Sequence, residues 1–257
     1  MKETLDTLAS LKKALQTGQS GIVTIKPKVI FELVERSYSS IPTFTLPIPS
    51  SSIGSVTTLE ASLICSLIFL RHPETIFEFG TFLGYTTSTL LSNSSPSCKV
   101  FSIDLPTSEK AHQLPKEHFN WDLIQSNDAY NDAYLTDLAL KTGERYLDST
   151  LMNNRLFLIK QDSLQFNPKE FDLIENTDFI FLDGGHTDKI VRSDTMNSLK
   201  MLSQNGILIW HDYGSKIHDK VTDVVDEYSK TNLVIQITNT MLALTAKKFT
   251  TFLLSAT

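Results

Sequence analysis

The sequence predicts an α/β fold in which a mostly parallel sheet carries helices on both faces. From residue 75 onward, short apolar runs alternate with helical stretches, as expected of strands joined by helical crossovers. The last two runs, 232–238 and 241–247, are separated only by Asn239 and Thr240. Because a parallel pair needs a crossover of about a dozen residues or more, these two runs must form a hairpin. The sheet should therefore contain one antiparallel strand near its end.

Seven apolar runs are strand candidates: 75–80, 99–105, 155–161, 178–183, 206–212, 232–238 and 241–247. Helices are predicted at 2–17, at 27–38, from Thr57 or Thr58 through about Phe69, and at 85–92, 187–203 and 216–230. The stretch 38–55 is rich in Pro and Ser and predicts a loop. We therefore expect an N-terminal helical and loop extension over residues 1–55 and a main domain over 56–257.

One segment, 106–154, contains no clear strand and is too long for a simple connection. It predicts a helical insertion over the ligand-binding end of the sheet. Four aromatic residues of this segment are candidates for shaping an acceptor pocket: Phe119, Trp121, Tyr130 and Tyr134.

Composition excludes several classes of protein. The chain has 257 residues, is 41% hydrophobic and 20% charged, and carries a net charge of −6. This charge argues against a partner held by phosphate contacts, such as a nucleic acid. The two cysteines, Cys65 and Cys98, suggest neither a disulfide framework nor a zinc site, which favours a cytoplasmic setting. The N-terminus lacks the apolar core of a signal peptide, and the longest apolar stretch, 61–70, is too short to span a bilayer.

A glycine turn, "FEFGTFLGYTT" (77–87), joins the first predicted strand of the main domain to a helix. It matches neither the dinucleotide pattern G-x-G-x-x-G nor a Walker loop. Glu78 adds negative charge, which disfavours a pyrophosphate and favours a cation or a ligand with hydroxyl and amine groups. The next strand ends in Asp104, a position that commonly binds ribose hydroxyls, although many strands end in Asp for solubility or capping. Together the two features indicate a nucleoside without a phosphate.

Two later strands end in "DGGH" and "WHDY" and place Asp183, His186, His211 and Asp212 at one edge of the sheet. Two carboxylates and two imidazoles could bind a divalent cation. Structural alternatives remain open: His186 as a helix cap, His211 as a buried hydrogen-bonded residue and Asp212 as a strand-end residue. The other histidines receive no role: His72, His112, His118 and His218.

The ordered motifs "FEFGTFLGYTT", "FSIDL", "IKQDS", "FIFLDGGH" and "ILIWHDY" resemble those of class I S-adenosylmethionine-dependent methyltransferases. The chain is most similar to a bacterial branch with D-G-x-H and W-H-D-Y motifs, and its glycine turn resembles that of the catechol and caffeoyl-CoA O-methyltransferases. The resemblance covers about residues 55–247. It implies a seven-stranded Rossmann-like methyltransferase sheet with an antiparallel terminal strand.

The resemblance also implies roles for individual residues. Asp104 would hold the ribose of S-adenosylmethionine, and Asp183 would face its sulfonium. The other cofactor-binding residues would be Glu78, Gly80, Thr81, Phe82, Gly84, Tyr85 and Thr86, with Asp162 and Ser163 beside the adenine; helix N-capping is the alternative role of the last two.

On the acceptor side, His186 falls where the relatives have a catalytic lysine, and we expect it to act as general base with Asp183 and His211. Asp183, His211 and Asp212 would be the ligands of a divalent metal such as Mg²⁺. The relatives have Asp-Asn where this chain has His-Asp, and this departure leaves a mechanism without a metal open.

The expected reaction is O-methylation of a small-molecule or glycosyl hydroxyl, with no nucleic-acid or membrane partner. Two alternatives stay open: a nicotinamide-dependent oxidoreductase and a methyltransferase-like binding module without catalysis. Helix 2–17 could form a homodimer contact or cover the cofactor.

Overall fold

The computed structural model describes residues 6, 7, 9–11, 13, 14, 17, 19–49, 53–106, 119–147 and 154–247. Eight strands form one sheet in the order β1-β7-β8-β6-β5-β2-β3-β4. The strands are β1 (Gly21–Ile25), β2 (Thr75–Phe79), β3 (Lys99–Asp104), β4 (Leu156–Lys160), β5 (Thr177–Leu182), β6 (Leu202–Trp210), β7 (Leu233–Ile237) and β8 (Ala243–Ala246). All pairings are parallel except those of β8, which runs antiparallel between β6 and β7. The α/β class and the antiparallel terminal strand are confirmed.

The helices are α1 (Pro27–Ser37), α2 (Thr58–Arg71), α3 (Tyr85–Asn93), α4 (Trp121–Ile124), α5 (Asp128–Thr142), α6 (Asp188–Met201) and α7 (Asp219–Ser229). Helix α2 begins with a capping box, in which the Thr57 side chain accepts from the backbone N–H of Glu60 and the Glu60 carboxylate accepts from the backbone N–H of Thr57. Helices α4 and α5 lie in the predicted insertion 106–154. Within this insertion the structure describes residues 106, 119–147 and 154. The predicted helix 2–17 is described only in part, and its described positions from 6 to 14 are helical.

Strand β1 is a difference from the predicted seven-stranded sheet. It pairs in parallel with β7 from Gly21 to Ile25, a segment that was not among the strand candidates. The partner strand lies more than 200 residues away along the chain, so no local pattern predicts the pairing. The extra strand lies at one edge of the sheet, next to β7.

Side chains of the central strands alternate between two apolar layers. Phe179 and Phe181 of β5 pack into the layer that contains α1, α2 and α3, and Ile180 and Leu182 pack into the layer that contains α6 and α7. This two-residue period is the geometry of an extended strand that is buried on both faces. Among the described residues, no helix is both long enough and apolar enough to cross a membrane.

The strand ends lie level with one another at the carboxyl edge of the sheet. The backbone N–H of Gly80 donates to the carbonyl of Ile103, that of Asp183 to Phe79 and that of His211 to Leu182, at 2.9, 3.0 and 3.0 Å. These bonds continue the parallel ladders one residue past the strands. They bring the residues that follow β2, β5 and β6 side by side, next to Asp104 at the end of β3.

Candidate active site

A cavity of about 410 Å³ lies at the carboxyl ends of β2, β3, β5 and β6. Twelve of the fourteen residues selected from the sequence line it: Gly80, Thr81, Phe82, Tyr85, Thr86, Asp104, Asp162, Ser163, Asp183, His186, His211 and Asp212. The remaining two, Glu78 and Gly84, are not among its lining residues. The residues selected from the sequence therefore lie around one cavity, with Glu78 and Gly84 outside its lining.

The two glycines of the turn are required by contacts within the protein. Gly80 has φ +91°, and a Cβ there would lie 2.0 Å from the carbonyl oxygen of Asp183. Gly84 has φ +81°, and its Cβ would lie 2.5 Å from Cγ of Leu147. The positive φ disfavours a side chain at both positions, and at Gly80 the backbone atoms of Asp183 also leave no space for one.

Glu78 is fully buried below the turn. Its Oε2 accepts hydrogen bonds from Thr87 Oγ1 at 2.5 Å and Ser102 Oγ at 2.6 Å, while Oε1 has no hydrogen-bond partner. Burial raises the pKa of Glu78 to about 8, against the lowering effect of those two hydrogen bonds, and the charges of Asp183 and Asp104 raise it further. At neutral pH this side chain is mostly a neutral acid, so it brings less negative charge to the cavity than the sequence suggested.

Asp104 fixes the turn as well as facing the cavity. Its Oδ2 accepts from the backbone N–H of Phe82 at 3.2 Å, and its Oδ1 accepts from that of Leu105 at 2.8 Å. Phe82 has a positive φ of 47°, an uncommon conformation for a non-glycine residue that this bond helps to hold. The Asp104 carboxylate is thus oriented at the cavity wall, where ribose hydroxyls could donate to it.

The wall next to β4 is formed by Asp162, Ser163 and Asp194. Asp162 caps a short 3₁₀ helix, Ser163–Gln165, through a 2.9 Å bond from the backbone N–H of Leu164. Ser163 Oγ donates to Asp194 Oδ2 at 3.1 Å, and Asp194 Oδ1 has no hydrogen-bond partner. Burial raises the pKa of Asp194 to about 7. Asp162 therefore has the capping role that the sequence offered as an alternative, and it also lines the cavity.

Asp183, His211 and Asp212 form a compact group whose ligand atoms lie within 4.8 Å of one another. His211 Nδ1 lies 3.2 Å from Asp183 Oδ1 and 3.2 Å from Asp212 Oδ2. Asp212 has a φ of 60°, a left-handed conformation that Asp tolerates better than most residues. Although burial lowers the pKa of His211, the two carboxylates raise it well above its ordinary value. Two carboxylates therefore share one imidazole.

Glu60, which the sequence analysis missed, lies behind this group. Its carboxylate is buried, accepts from the backbone N–H of Met241 at 2.8 Å, and approaches His211 Nε2 to 3.5 Å. Burial acts to raise the pKa of Glu60, but the interaction with His211 and the backbone donors lower it to about 2. Glu60 therefore lies beside His211 Nε2 without a hydrogen bond to it, while Nδ1 contacts the two aspartates.

This donor set fits a divalent cation. In metal sites, a carboxylate commonly lies beside the imidazole nitrogen that does not bind the metal. There it fixes the tautomer and the orientation of the ring. One imidazole nitrogen with two carboxylates suits Mn²⁺, Fe²⁺ or Zn²⁺ better than Mg²⁺, which prefers oxygen ligands.

His186 is held on both sides of its ring. Its Nδ1 lies 2.7 Å from Asp132 Oδ1 of α5, and its Nε2 lies 3.1 Å from Asp212 Oδ2. Burial lowers the pKa of His186, but the two carboxylates raise it well above the ordinary value. The ring also stacks on His218, with centroids 3.6 Å apart and planes at 23°, and His218 Nδ1 lies 2.5 Å from Asp128 Oδ1. These contacts replace the helix-cap alternative for His186, because the N-cap of α6 is Thr187.

Other residues raised by the sequence are structural. Trp210 is fully buried and donates to Thr195 Oγ1 at 3.0 Å, and Tyr213 donates to Asp226 Oδ1 at 2.8 Å. His72 ends α2 and lies 3.1 Å from the Tyr38 hydroxyl. His112 and His118 lie outside the described residues.

The expectation for the insertion aromatics was wrong for the described cavity. Phe119 packs edge-on against Tyr130 and Tyr134, and Trp121 packs against Tyr134, so these rings contact one another and do not line the cavity. The insertion lines it instead with Ile124, Gln125, Asn131, Asp132, Leu135, Thr136 and Ala139.

Comparison with known proteins gives the family. Among solved structures, the chain is similar to the calicheamicin methyltransferase CalS11 (12% identity, TM-score 0.49, covering 73% of this chain and 77% of that one). It is also similar to an O-methyltransferase from Bacillus cereus in complex with SAH (16%, 0.46, 76% and 84%) and to the O-methyltransferase TomG from Streptomyces achromogenes in complex with SAM (14%, 0.42, 74% and 79%). With TM-scores below 0.5, these similarities define neither an acceptor nor a site residue.

No curated protein matches the chain. Residues 77–213 match the family described as "Methyltransferase domain". This segment is more than half of the sequence, and it contains the glycine turn and the two motifs "DGGH" and "WHDY". The chain belongs to this methyltransferase-domain family.

Proposed function

We propose that the protein transfers the methyl group of S-adenosylmethionine to a hydroxyl of a small molecule or glycoside. The observation that carries the proposal is the cavity itself, in which one wall offers the groups of a nucleoside site and the adjoining wall offers a histidine between carboxylates. The glycine turn and Asp104 lie on the first wall, and Asp183, His186, His211 and Asp212 lie on the second. Family membership supplies the reaction class, and these walls suggest the cofactor and the acceptor group.

The cofactor half accounts for binding. Asp104 is oriented to accept hydrogen bonds from a ribose, and Asp162 and Ser163 lie where an adenine would reach the end of β4. A sulfonium is a cation, and an ionised Asp183 at the end of β5 would favour it electrostatically. No cationic group is needed for this cofactor, in contrast to a pyrophosphate.

The acceptor half accounts for the chemistry. The sulfonium already activates its methyl group, so the protein has to align a hydroxyl with it and accept the hydroxyl proton. His186 is suited to accept the proton through Nε2, because its contact with Asp212 is the longer of its two carboxylate contacts, 3.1 against 2.7 Å. Both carboxylates raise the pKa of His186, so Nε2 would accept the hydroxyl proton from the state in which it has released its own.

Asp183, His211 and Asp212 would hold a divalent cation. A bound cation would lower the pKa of a coordinated hydroxyl. Without one, the protonated His211 supplies the positive charge between the two aspartates.

Isothermal calorimetry with S-adenosylmethionine and with S-adenosylhomocysteine tests the proposal. We expect binding of both and none of NAD, which separates this function from the oxidoreductase alternative. A folded protein that binds neither sulfur compound would exclude the function. Methyl transfer to a panel of catechols and glycosides, compared between His186→Asn and the control His72→Asn, then separates an enzyme from a binding module. The control changes a histidine that does not line the cavity.

A further inference from the structure

Two aspartate–histidine pairs connect helix α5 of the insertion to the acceptor rim, which is the set of cavity residues that follow β5 and β6. Asp132 contacts His186 and Asp128 contacts His218. We propose that these contacts make Asp132 a positioning residue for the methyl-transfer base, with the His218–Asp128 pair as a brace that fixes the plane of the His186 ring. The inference rests on the proposed function, and it assigns a role to the insertion that the family match over 77–213 does not.

Asp132 fixes the Nδ1 side of the His186 ring. At 2.7 Å from an Asp132 oxygen, Nδ1 lies at the distance of a charge-assisted hydrogen bond, in which Nδ1–H donates to the carboxylate. The ring is thereby oriented with Nε2 toward Asp212, at 3.1 Å, and toward the acceptor side. The Asp132 carboxylate also stabilises the imidazolium that forms once Nε2 takes a proton. This is the role of a carboxylate behind a general base.

The position of Asp132 is built into α5. Asp128 and Asp132 are four residues apart and therefore share one face of the helix. Asn127 caps the helix through a 3.0 Å bond from the backbone N–H of Tyr130, and the buried Asn131 amide donates to the carbonyl of Ile124 at 2.8 Å. The helix start and its connection to α4 are thus fixed, which holds both carboxylates against the rim.

The brace acts through ring stacking. His218 lies parallel to His186 within 23° at a centroid distance of 3.6 Å, and both rings are buried. His218 leaves little room for rotation of His186 out of its plane. Asp128 Oδ1, 2.5 Å from His218 Nδ1, holds the outer ring in turn.

The four donor atoms of Asp128, Asp132, His186 and His218 lie within 4.8 Å of one another, so a shared cation is the competing explanation. A metal binds imidazole in the plane of the ring at about 2.1 Å from nitrogen. Two nearly parallel rings 3.6 Å apart have no nearby point in both planes. A cation midway between them would lie far out of each plane, so the stacked arrangement favours two hydrogen-bonded pairs over joint ligation.

The test is the ¹⁵N NMR spectrum of the full-length protein labelled at histidine, with His186 assigned by its loss in His186→Asn. We expect the Nδ1–H signal of His186 to show a hydrogen bond to a carboxylate in the unmodified protein. In Asp132→Ala this signal should shift or be lost by exchange with solvent, because Asp132 is the carboxylate that Nδ1 contacts. Asp137→Ala is the matched control on the same helix, since Asp137 pairs with Lys141 at 2.6 Å. It should leave the His186 signals in place.

Asp132→Asn keeps the test decisive if the alanine variant does not fold. The amide has nearly the shape of the carboxylate but not its charge, so methyl transfer should fall about 100-fold with KM little changed. A structural role alone would lower the stability of Asp132→Asn and leave kcat of the folded variant at the unmodified level.

Three results would overturn the inference: an unchanged Nδ1 signal of His186 in Asp132→Ala, an unchanged kcat in a folded Asp132→Asn variant, or a stoichiometric metal that Asp183→Ala retains and Asp132→Ala loses. Failure of the proposed function has a different signature. It would appear as absence of S-adenosylmethionine binding to the unmodified protein, whatever the histidine spectra show.

Discussion

Replacement of Glu78 by glutamine tests the electrostatics beneath the glycine turn. Glu78 is fully buried, and its pKa rises from an ordinary 4.5 to about 8, chiefly through burial. Between these two values the folded chain holds a proton at Glu78 that the unfolded chain has released. The free energy of unfolding therefore falls as pH rises, by about 1.4 kcal/mol for each pH unit. This stabilising contribution is complete below about pH 4.5 and is lost by about pH 8.

The Glu78→Gln variant removes this pH dependence. Its amide side chain stays neutral and is nearly isosteric with the acid, so the stability of the variant relative to the unmodified protein should grow by about 3–4 kcal/mol between pH 5 and pH 8. Altered hydrogen bonds with Thr87 and Ser102 would add an offset, but that offset does not depend on pH. Urea unfolding at four pH values, followed by circular dichroism, measures the difference directly.

Glu35→Gln is the matched control, because Glu35 is exposed on α1. It should show no comparable growth with pH. If the Glu78→Gln and unmodified curves stay parallel within about 1 kcal/mol, Glu78 has the same charge in the folded and unfolded states and the argument from burial is refuted.

Four further predictions concern the cavity. Asp104→Ala should weaken S-adenosylmethionine binding about 10- to 100-fold in calorimetry, because the variant loses a charged hydrogen bond to the ribose. His186→Asn should lower methyl transfer by about 10²–10⁴ in a radiometric assay and leave cofactor affinity within about twofold. Glu60, with its pKa lowered to about 2, contributes stability above about pH 4.5 that is lost as pH falls toward 2; Glu60→Gln should therefore be less stable at neutral pH and less sensitive to acid in a denaturation series. Chelation should lower methyl transfer, with Mn²⁺ restoring it better than Mg²⁺; unchanged activity after complete metal removal would contradict a role for the cation.

The sequence predicted the sheet and most of the cavity because both depend on local signals. Apolar runs ending in a polar residue mark strands, and parallel strands present their carboxyl ends at one edge, so Asp104, Asp183 and His211 could be placed together from the sequence alone. The hairpin of β7 and β8 followed from a two-residue gap alone.

The parts that the sequence did not predict depend on long-range contacts. Strand β1 exists through its pairing with β7, and Glu60 reaches His211 from a helix about 150 residues earlier. The i, i+4 spacing of Asp128 and Asp132 is visible in the sequence, but only packing decides that this face meets His186. The aromatic residues of the insertion were a misleading signal, since Phe119 and its neighbours are satisfied by contacts among themselves.

The charges around the cavity favour a cationic cofactor over a dinucleotide. The described residues that line it include six aspartates and three histidines and no lysine or arginine; the aspartates are Asp104, Asp132, Asp162, Asp183, Asp194 and Asp212, and the histidines are His186, His211 and His218. A dinucleotide would bring its pyrophosphate against these carboxylates, and the glycine turn lacks the pattern that cradles one. A sulfonium brings a positive charge instead, and it loses that charge when the methyl group leaves. Electrostatic attraction to the cavity is therefore stronger for S-adenosylmethionine than for its neutral-sulfur product, so the same aspartates that favour cofactor binding also favour product release.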